Sequence, residues 1–362
     1  MRRVVAVGLA CIAFGVTAGE AMAASPGAVY TLTNDAAGNA VKVFTRAGDG
    51  SLTAGGAFAT GGAGTGARLG SQGGVALDGG RLFAVNAGSD SISSFTVKGD
   101  TLDLVDTVPS GGDRPISLTV HDGLLYVLNA GGAGNISGFT VSHGGELTPL
   151  AGSTRPLSGA ATDPPQVSFD PTGRLLVVTE KATNLIDVYS VDGETGLASG
   201  PSPQPSAGST PFGFGFDKRG HLIVSEAFGG AVDQSAVSSY GFDGNTIVPI
   251  TASAGTTETA ACWIVVTKDG GFAYTTNTGS GSISGYRVSQ GGALSLLDAD
   301  GRTGLTGPGP VDMALSTSSR FLYSLNSGNG TISGFRVGSD GGLTPIDGAA
   351  GLPTGATGLA AS

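Results

Sequence analysis

The chain has 362 residues, 65 of them glycine, with 13% charged residues and a net charge of −10. So many glycines with so few charges disfavour a helical protein and suit short strands joined by tight turns. The acidic balance, without any basic run, argues against nucleic acid and anionic membranes as partners.

The first segment reads as a leader. "MRR" is a basic start, "VVAVGLACIAFGVTA" an apolar stretch and "AMA" at 21–23 a small-residue cleavage site. This is the pattern of a secretory signal peptide spanning residues 1–23 and cut after Ala23. The apolar run is too short for a membrane helix. Cys11 follows "GLA", a poor lipoprotein signal, so a released protein, secreted or periplasmic, is expected. Removal of the leader leaves Cys262 as the one cysteine, so stability has to come from a core rather than an internal disulfide.

From "AVYTLT" onward the chain repeats one unit. Close copies read "RLFAVNAGSDSISSFTV", "LLYVLNAGGAGNISGFTV", "FAYTTNTGSGSISGYRV" and "FLYSLNSGNGTISGFRV", with looser ones between. An aromatic marks each copy, namely Phe44, Phe95, Phe139, Tyr189, Tyr240, Tyr286 and Phe335, at steps of 44 to 51 residues. Each unit holds an apolar first run ("GVALD", "ISLTV", "QVSFD", "FGFGF", "WIVVT", "DMALS"), an alternating second run, the aromatic third run and a fourth run after a glycine turn. Four short strands per repeat of roughly 40–50 residues is the signature of propeller blades. The chain opens at a second strand and ends in "ATGLAAS", a first strand. The predicted fold is therefore an all-β, closed seven-bladed β-propeller of four-stranded blades, one domain over 24–362. Its ring is closed by the C-terminal strand pairing with the N-terminal blade.

Because strands within a blade alternate in direction, loops sort onto two faces. The first-to-second and third-to-fourth turns are short. The blade-to-blade crossings, such as "ATGGAGTGARLGSQGG" and "TASAGTTETAAC", are long and enter the innermost strands at the channel mouth, where binding residues are expected. His121, His143 and His221 fall on the short-turn face, which removes the key part of Ser–His–Asp or histidine–metal chemistry. The long-loop face collects Arg68, Gln72, Glu180, Lys181, Glu226, Glu258, Cys262 and Trp263. Four second strands end in asparagine (Asn86, Asn129, Asn277, Asn326), an assignment with a shared structural role such as bonding turn backbone, whereas the fifth blade ends in Glu226. Glu226 and Glu180 are the candidate bases, and Arg68, Gln72, Lys181, Glu258, Trp263 and Asn277 the candidate ligand contacts. "DADGRTG" at 298–304 lacks the rest of a calcium loop and reads as a turn. No metal and no cofactor is expected.

The blade pattern, with "VSFDPTGRLLVVTEKATNLIDVYSVD" and "VVTKDGGFAYTTNTGSGSISGYRV", resembles the seven-bladed lactonase family, which includes propeller-type 6-phosphogluconolactonase and carboxymuconate-lactonizing enzymes. The resemblance covers essentially the whole mature chain. It implies a polar set around the channel: a His where this chain has Pro165, an Arg at Phe212, a Glu kept as Glu226, and a second Arg at Thr278. With three of those four positions changed, two functions are expected to compete. One is hydrolysis of a small lactone at the channel mouth. The other is a non-catalytic extracellular propeller binding a sugar-like ligand or a partner. A monomer is expected in either case.

Overall fold

The computed structural model describes Met1 and residues 25–362; the predicted leader lies outside the described residues. Seven antiparallel sheets follow one another around a central axis, five of four strands and two whose outermost strand is split in two. Every first run identified in the sequence is an innermost strand: Val75–Asp78, Pro115–His121, Gln166–Phe169, Pro211–Phe216, Ala261–Val266, Pro310–Leu315 and Thr357–Ala361. The last of these pairs with Gly27–Leu32 in the register Val29↔Ala361, Tyr30↔Ala360 and Leu32↔Thr357, closing the ring. Strand alternation explains the order, since each blade buries both of its faces against its neighbours and needs apolar residues on each.

The marker aromatics Phe44, Phe95, Phe139, Tyr189, Tyr240, Tyr286 and Phe335 are all buried. A second set of rings ties blades together. Tyr126, Tyr274 and Tyr323 donate their hydroxyls to the carbonyls of Gly196, Gly341 and Gly50, in the outer turn of the next blade, at 2.8, 2.8 and 2.7 Å. At Gly341 the backbone has φ +93°, and a β-carbon would lie 2.5 Å from the Phe272 ring, so only glycine permits this approach.

One crossing departs from the expected rim loop. Residues 60–74, between the first and second blades, dip into the channel and bond to blades around the ring. Arg68 Nη1 donates to Ser327 Oγ (2.9 Å), Ser71 Oγ to the Ile116 carbonyl (2.9 Å), and the Gln72 amide N–H to the Pro165 carbonyl (3.0 Å). The Gln72 side chain spans the channel to Ile264, donating Nε2–H to its carbonyl (2.6 Å) and accepting its N–H at Oε1 (3.0 Å). Gln72 thus supplies a strand-like pair of bonds to the free edge of the sixth blade. The segment is a plug.

Candidate functional site

Between the plug and blades five to seven lies a cavity of about 260 Å³. Leu69 and Gly70 of the plug form one side, and Phe212, Cys262, Trp263 and Val311 the other, with Arg68 and Thr278 as polar members. The Phe212 and Trp263 rings meet at 4.8 Å between centroids, tilted by 52°, and the indole N–H is taken up by the Ser71 carbonyl at 2.9 Å. Both rings are fixed, so the apolar wall is preformed. Thr278 donates to the Pro310 carbonyl (2.8 Å). Burial pushes the Cys262 thiol up to about 11, which keeps it protonated and non-nucleophilic near neutral pH.

The structure brings Arg68, Trp263 and the plug together at this cavity and separates the other predicted residues from it. Gln72 lies below, holding the sixth blade. Lys181 is mostly buried behind Phe212, with Nζ 4.7 Å from the ring centroid, 3.2 Å from Asp163 Oδ2 and 3.3 Å from the Gly70 carbonyl. It clamps the plug to the fourth blade. Asn277 is fully buried and donates to Ser282 and Ser284 Oγ at 3.1 and 2.9 Å.

All three glutamates of the predicted set are also fully buried, each inside its own blade region. Glu258 accepts from Arg302 Nε at 2.6 Å and from Ser282 Oγ at 2.5 Å. Glu226 Oε1 accepts the Gly208 N–H at 2.8 Å and the Ser238 hydroxyl. Burial raises the Glu226 carboxyl above its usual range, partly offset by those hydrogen bonds. Neither Glu226 nor Glu180 lines the mouth cavity.

The asparagine blades explain why glutamate is tolerated there. Asn86 donates to Ser93 Oγ (2.8 Å), and Ser93 in turn donates to the Thr60 carbonyl (2.7 Å), pinning the preceding crossing by an acceptor. Glu226 reverses that polarity. It accepts from the serine on the third strand and from an N–H of the preceding crossing. Glu180 does likewise, accepting the Ser158 N–H at 3.1 Å and the Ser158 and Thr183 hydroxyls at 2.5 and 2.6 Å. The fourth blade goes further, because its third-strand serine is replaced by Asp187, also fully buried, whose Oδ2 accepts the same Ser158 N–H at 3.0 Å. Reading the glutamates as rim residues missed this pair. The signal was in the repeat: "LIDVY" has aspartate where "SISSF" and "SISGY" have serine.

At the positions where the family resemblance implies His, Arg and Arg, the structure has a backbone anchor for the plug (Pro165), an aromatic wall (Phe212) and a hydroxyl (Thr278). The last two line the mouth cavity.

Comparison with known proteins agrees with this architecture. Among solved structures, a Lactobacillus plantarum protein superposes with a TM-score of 0.74 at 19% identity, over 92% of this chain and 99% of that one. A Bacteroides fragilis protein, provisionally assigned as a 6-phosphogluconolactonase, gives 0.71 at 18% identity over 92% and 97%. The periplasmic gluconolactonase of Pseudomonas aeruginosa gives 0.71 at 17% identity over 92% and 99%. At such identities the likeness shows the fold. No curated protein matches the chain. The family profile described as lactonase, 7-bladed beta-propeller, matches residues 29–155 and 75–357, and together they span nearly all of the described residues. The chain therefore belongs to the seven-bladed β-propeller lactonase family.

Proposed function

We propose that this protein is an extracytoplasmic member of the family that binds a small cyclic ester or sugar-derived molecule in the mouth cavity. The observation that carries this reading is the make-up of the cavity: a fixed Phe212–Trp263 wall for an apolar ring face and Arg68 for a carbonyl or anionic oxygen. A volume of about 260 Å³ suits a monosaccharide-sized ligand. The leader and the likeness to a periplasmic gluconolactonase support export, and a monomer is the simplest state of a closed ring. Among the described residues no helix is long and apolar enough to cross a membrane.

The chain has one tryptophan, at the cavity wall, so its fluorescence reports on ligand directly. Titration with neutral aldonolactones, homoserine lactones and 6-phosphogluconolactone should change that signal for at least one class. Arg68→Met should weaken that ligand about tenfold, the value of one charge-assisted hydrogen bond. Silence across the panel, by fluorescence and by calorimetry, would sink the reading.

Family membership keeps a second reading in play, hydrolysis of the bound lactone. The lining residues include no carboxylate and no histidine, so binding is the better fit. Glu226→Gln separates the two. Under the binding reading any lactone turnover is indifferent to the substitution. Turnover abolished in a variant that keeps its melting temperature would instead establish Glu226 as the base of a hydrolase.

A further inference from the structure

Most polar groups around the mouth cavity are already committed within the protein, which narrows what it can hold. The Trp263 indole N–H goes to the Ser71 carbonyl at 2.9 Å, and the Trp263 backbone N–H to Thr276 Oγ1 at 3.2 Å. Thr278 spends its hydroxyl proton on the Pro310 carbonyl at 2.8 Å and its backbone N–H on the Ala260 carbonyl at 2.9 Å. The carbonyls of Gly70, Cys262 and Thr357 each already hold one donor: Lys181 Nζ at 3.3 Å, Ser225 Oγ at 2.5 Å and Thr31 Oγ1 at 3.3 Å. Among the lining side chains, apart from the weakly bonding Cys262 thiol, a ligand is left with the hydroxyl oxygens of Thr278 and Thr357 and the other N–H groups of Arg68.

That inventory suits one kind of guest poorly and another well. An aldonolactone brings several hydroxyl donors, and each one sequestered without an acceptor costs roughly tenfold in affinity. A phosphorylated or other anionic ligand fares no better. Arg68 is exposed and shared with Ser327, and Lys181 is held behind Phe212 by Asp163 and the Gly70 carbonyl. The rest of the wall is apolar, with Leu69 from the plug facing Phe212, Trp263 and Val311, all four mostly buried and fixed by the surrounding packing. A guest that brings one oxygen acceptor and an apolar body satisfies every part of this lining.

We infer that the ligand class of this cavity is a lactone with an apolar body, an alkyl- or aryl-substituted ring ester, its carbonyl oxygen at Arg68 and its substituent between Leu69, Phe212, Trp263 and Val311. The inference rests on the reading of this cavity as the ligand site. An ester carbonyl accepts from the guanidinium and brings no donor of its own, so nothing is left unpaired when water is expelled. The substituent then contributes by area, each buried methylene strengthening binding by roughly fourfold until the cavity of about 260 Å³ is full.

The test is a calorimetric titration with γ-butyrolactones carrying a γ-alkyl chain from methyl to hexyl, beside glucono-δ-lactone and 6-phosphogluconolactone. Affinity should climb by roughly fourfold per methylene, pass through an optimum and fall, with both sugar lactones at least ~10-fold weaker than the best alkyl lactone. Leu69→Ala enlarges the chain end of the cavity and should move the optimum to a longer chain. Val311→Thr, close to isosteric, sets a hydroxyl in the wall and should weaken the best alkyl lactone several-fold without weakening glucono-δ-lactone. A flat series, or a sugar lactone bound as tightly as the best alkyl lactone, overturns this inference while leaving the cavity a ligand site. An optimum unmoved by Leu69→Ala, together with affinity unmoved by Val311→Thr, overturns the placement of the chain. No binding by any lactone overturns the inference together with the ligand-site reading beneath it.

Discussion

Between pH 5 and pH 8 the protein should lose stability through the Asp187–Glu180 pair, at up to about 1.4 kcal/mol per pH unit for one proton. The two carboxylates share the Ser158 N–H in a fully buried part of the fourth blade. Burial, and then the hydrogen bond and charge of Glu180, raise Asp187 to about 8. The groups facing them offer no positive charge: Ser158, Thr183 and Tyr189 are neutral, Lys181 is engaged with Asp163, and the Arg155 guanidinium bonds the Gly152 and Thr154 carbonyls.

The sign follows from proton binding. The folded state holds its proton more tightly than the unfolded chain, whose aspartates titrate near 3.9. Stability from this group is complete below that value, declines as pH rises, and levels off above about 8. Asp187→Asn should remove the slope, because an amide can donate to Glu180 at every pH. The double change Glu180→Asn, Asp187→Ser copies the second and sixth blades and should raise the melting temperature at pH 8 by about 5 °C. The measurement is urea denaturation at pH 5, 6, 7 and 8, taking the difference between the unaltered protein and Asp187→Asn. A difference that does not change with pH would mean that the pair holds no shared proton.

That pair shows which features the sequence carried openly. The blades were legible because seven copies check one another: a run such as "DMALS" is a weak strand signal alone and a strong one in a series. Closure was legible from the unmatched end strands, and the match of Val29 to Ala361 realises it. Side-chain direction was not legible. Glu180 and Glu226 occupy the asparagine position at the strand end, yet that position turns into the blade and not toward the channel. The plug was hidden for a different reason. Gln72 and Ile264 lie 192 residues apart, and nothing local in "ARLGSQGG" states that the loop descends into the channel. Asp312 had a local signal, a carboxylate inside an inner-strand run where other blades put apolar or small residues, but how its carboxyl is held is a property of the assembled ring.

Ring closure carries the second large effect. Arg46, 4% exposed, donates from Nε to the Ser362 carbonyl (3.0 Å) and from Nη2 to the Ser25 carbonyl (2.8 Å), with its guanidinium 5.3 Å from the Phe321 ring centroid. One cation therefore holds both ends of the described chain and rests on the seventh blade. Ser362 adds reciprocal bonds with Ala28, its N–H reaching the Ala28 carbonyl and its Oγ accepting the Ala28 N–H, both at 2.9 Å. The closing strand also joins two cores, since Leu359 packs with the seventh-blade cluster and Ala360 with the cluster of blades one to four. Arg46→Met keeps the stem and removes the donors. It should lower stability by about 3 kcal/mol, the loss of three hydrogen bonds from a charged group, to the Ser362, Ser25 and Ala47 carbonyls, less the rehydration of those carbonyls. Arg46→Lys should recover less than half of that, because an ammonium cannot fork to both ends. Hydrogen exchange tells ring opening from general loosening: in Arg46→Met the amides of Val29 to Leu32 should exchange faster, while those of the fourth blade keep pace with global unfolding. Deleting Thr357 to Ser362 should go further, baring the edge of Gly27–Leu32 and leaving an aggregating chain. An Arg46→Met protein within ~0.5 kcal/mol of the original would show that the backbone ladder alone closes the ring and that the guanidinium adds nothing to the seam.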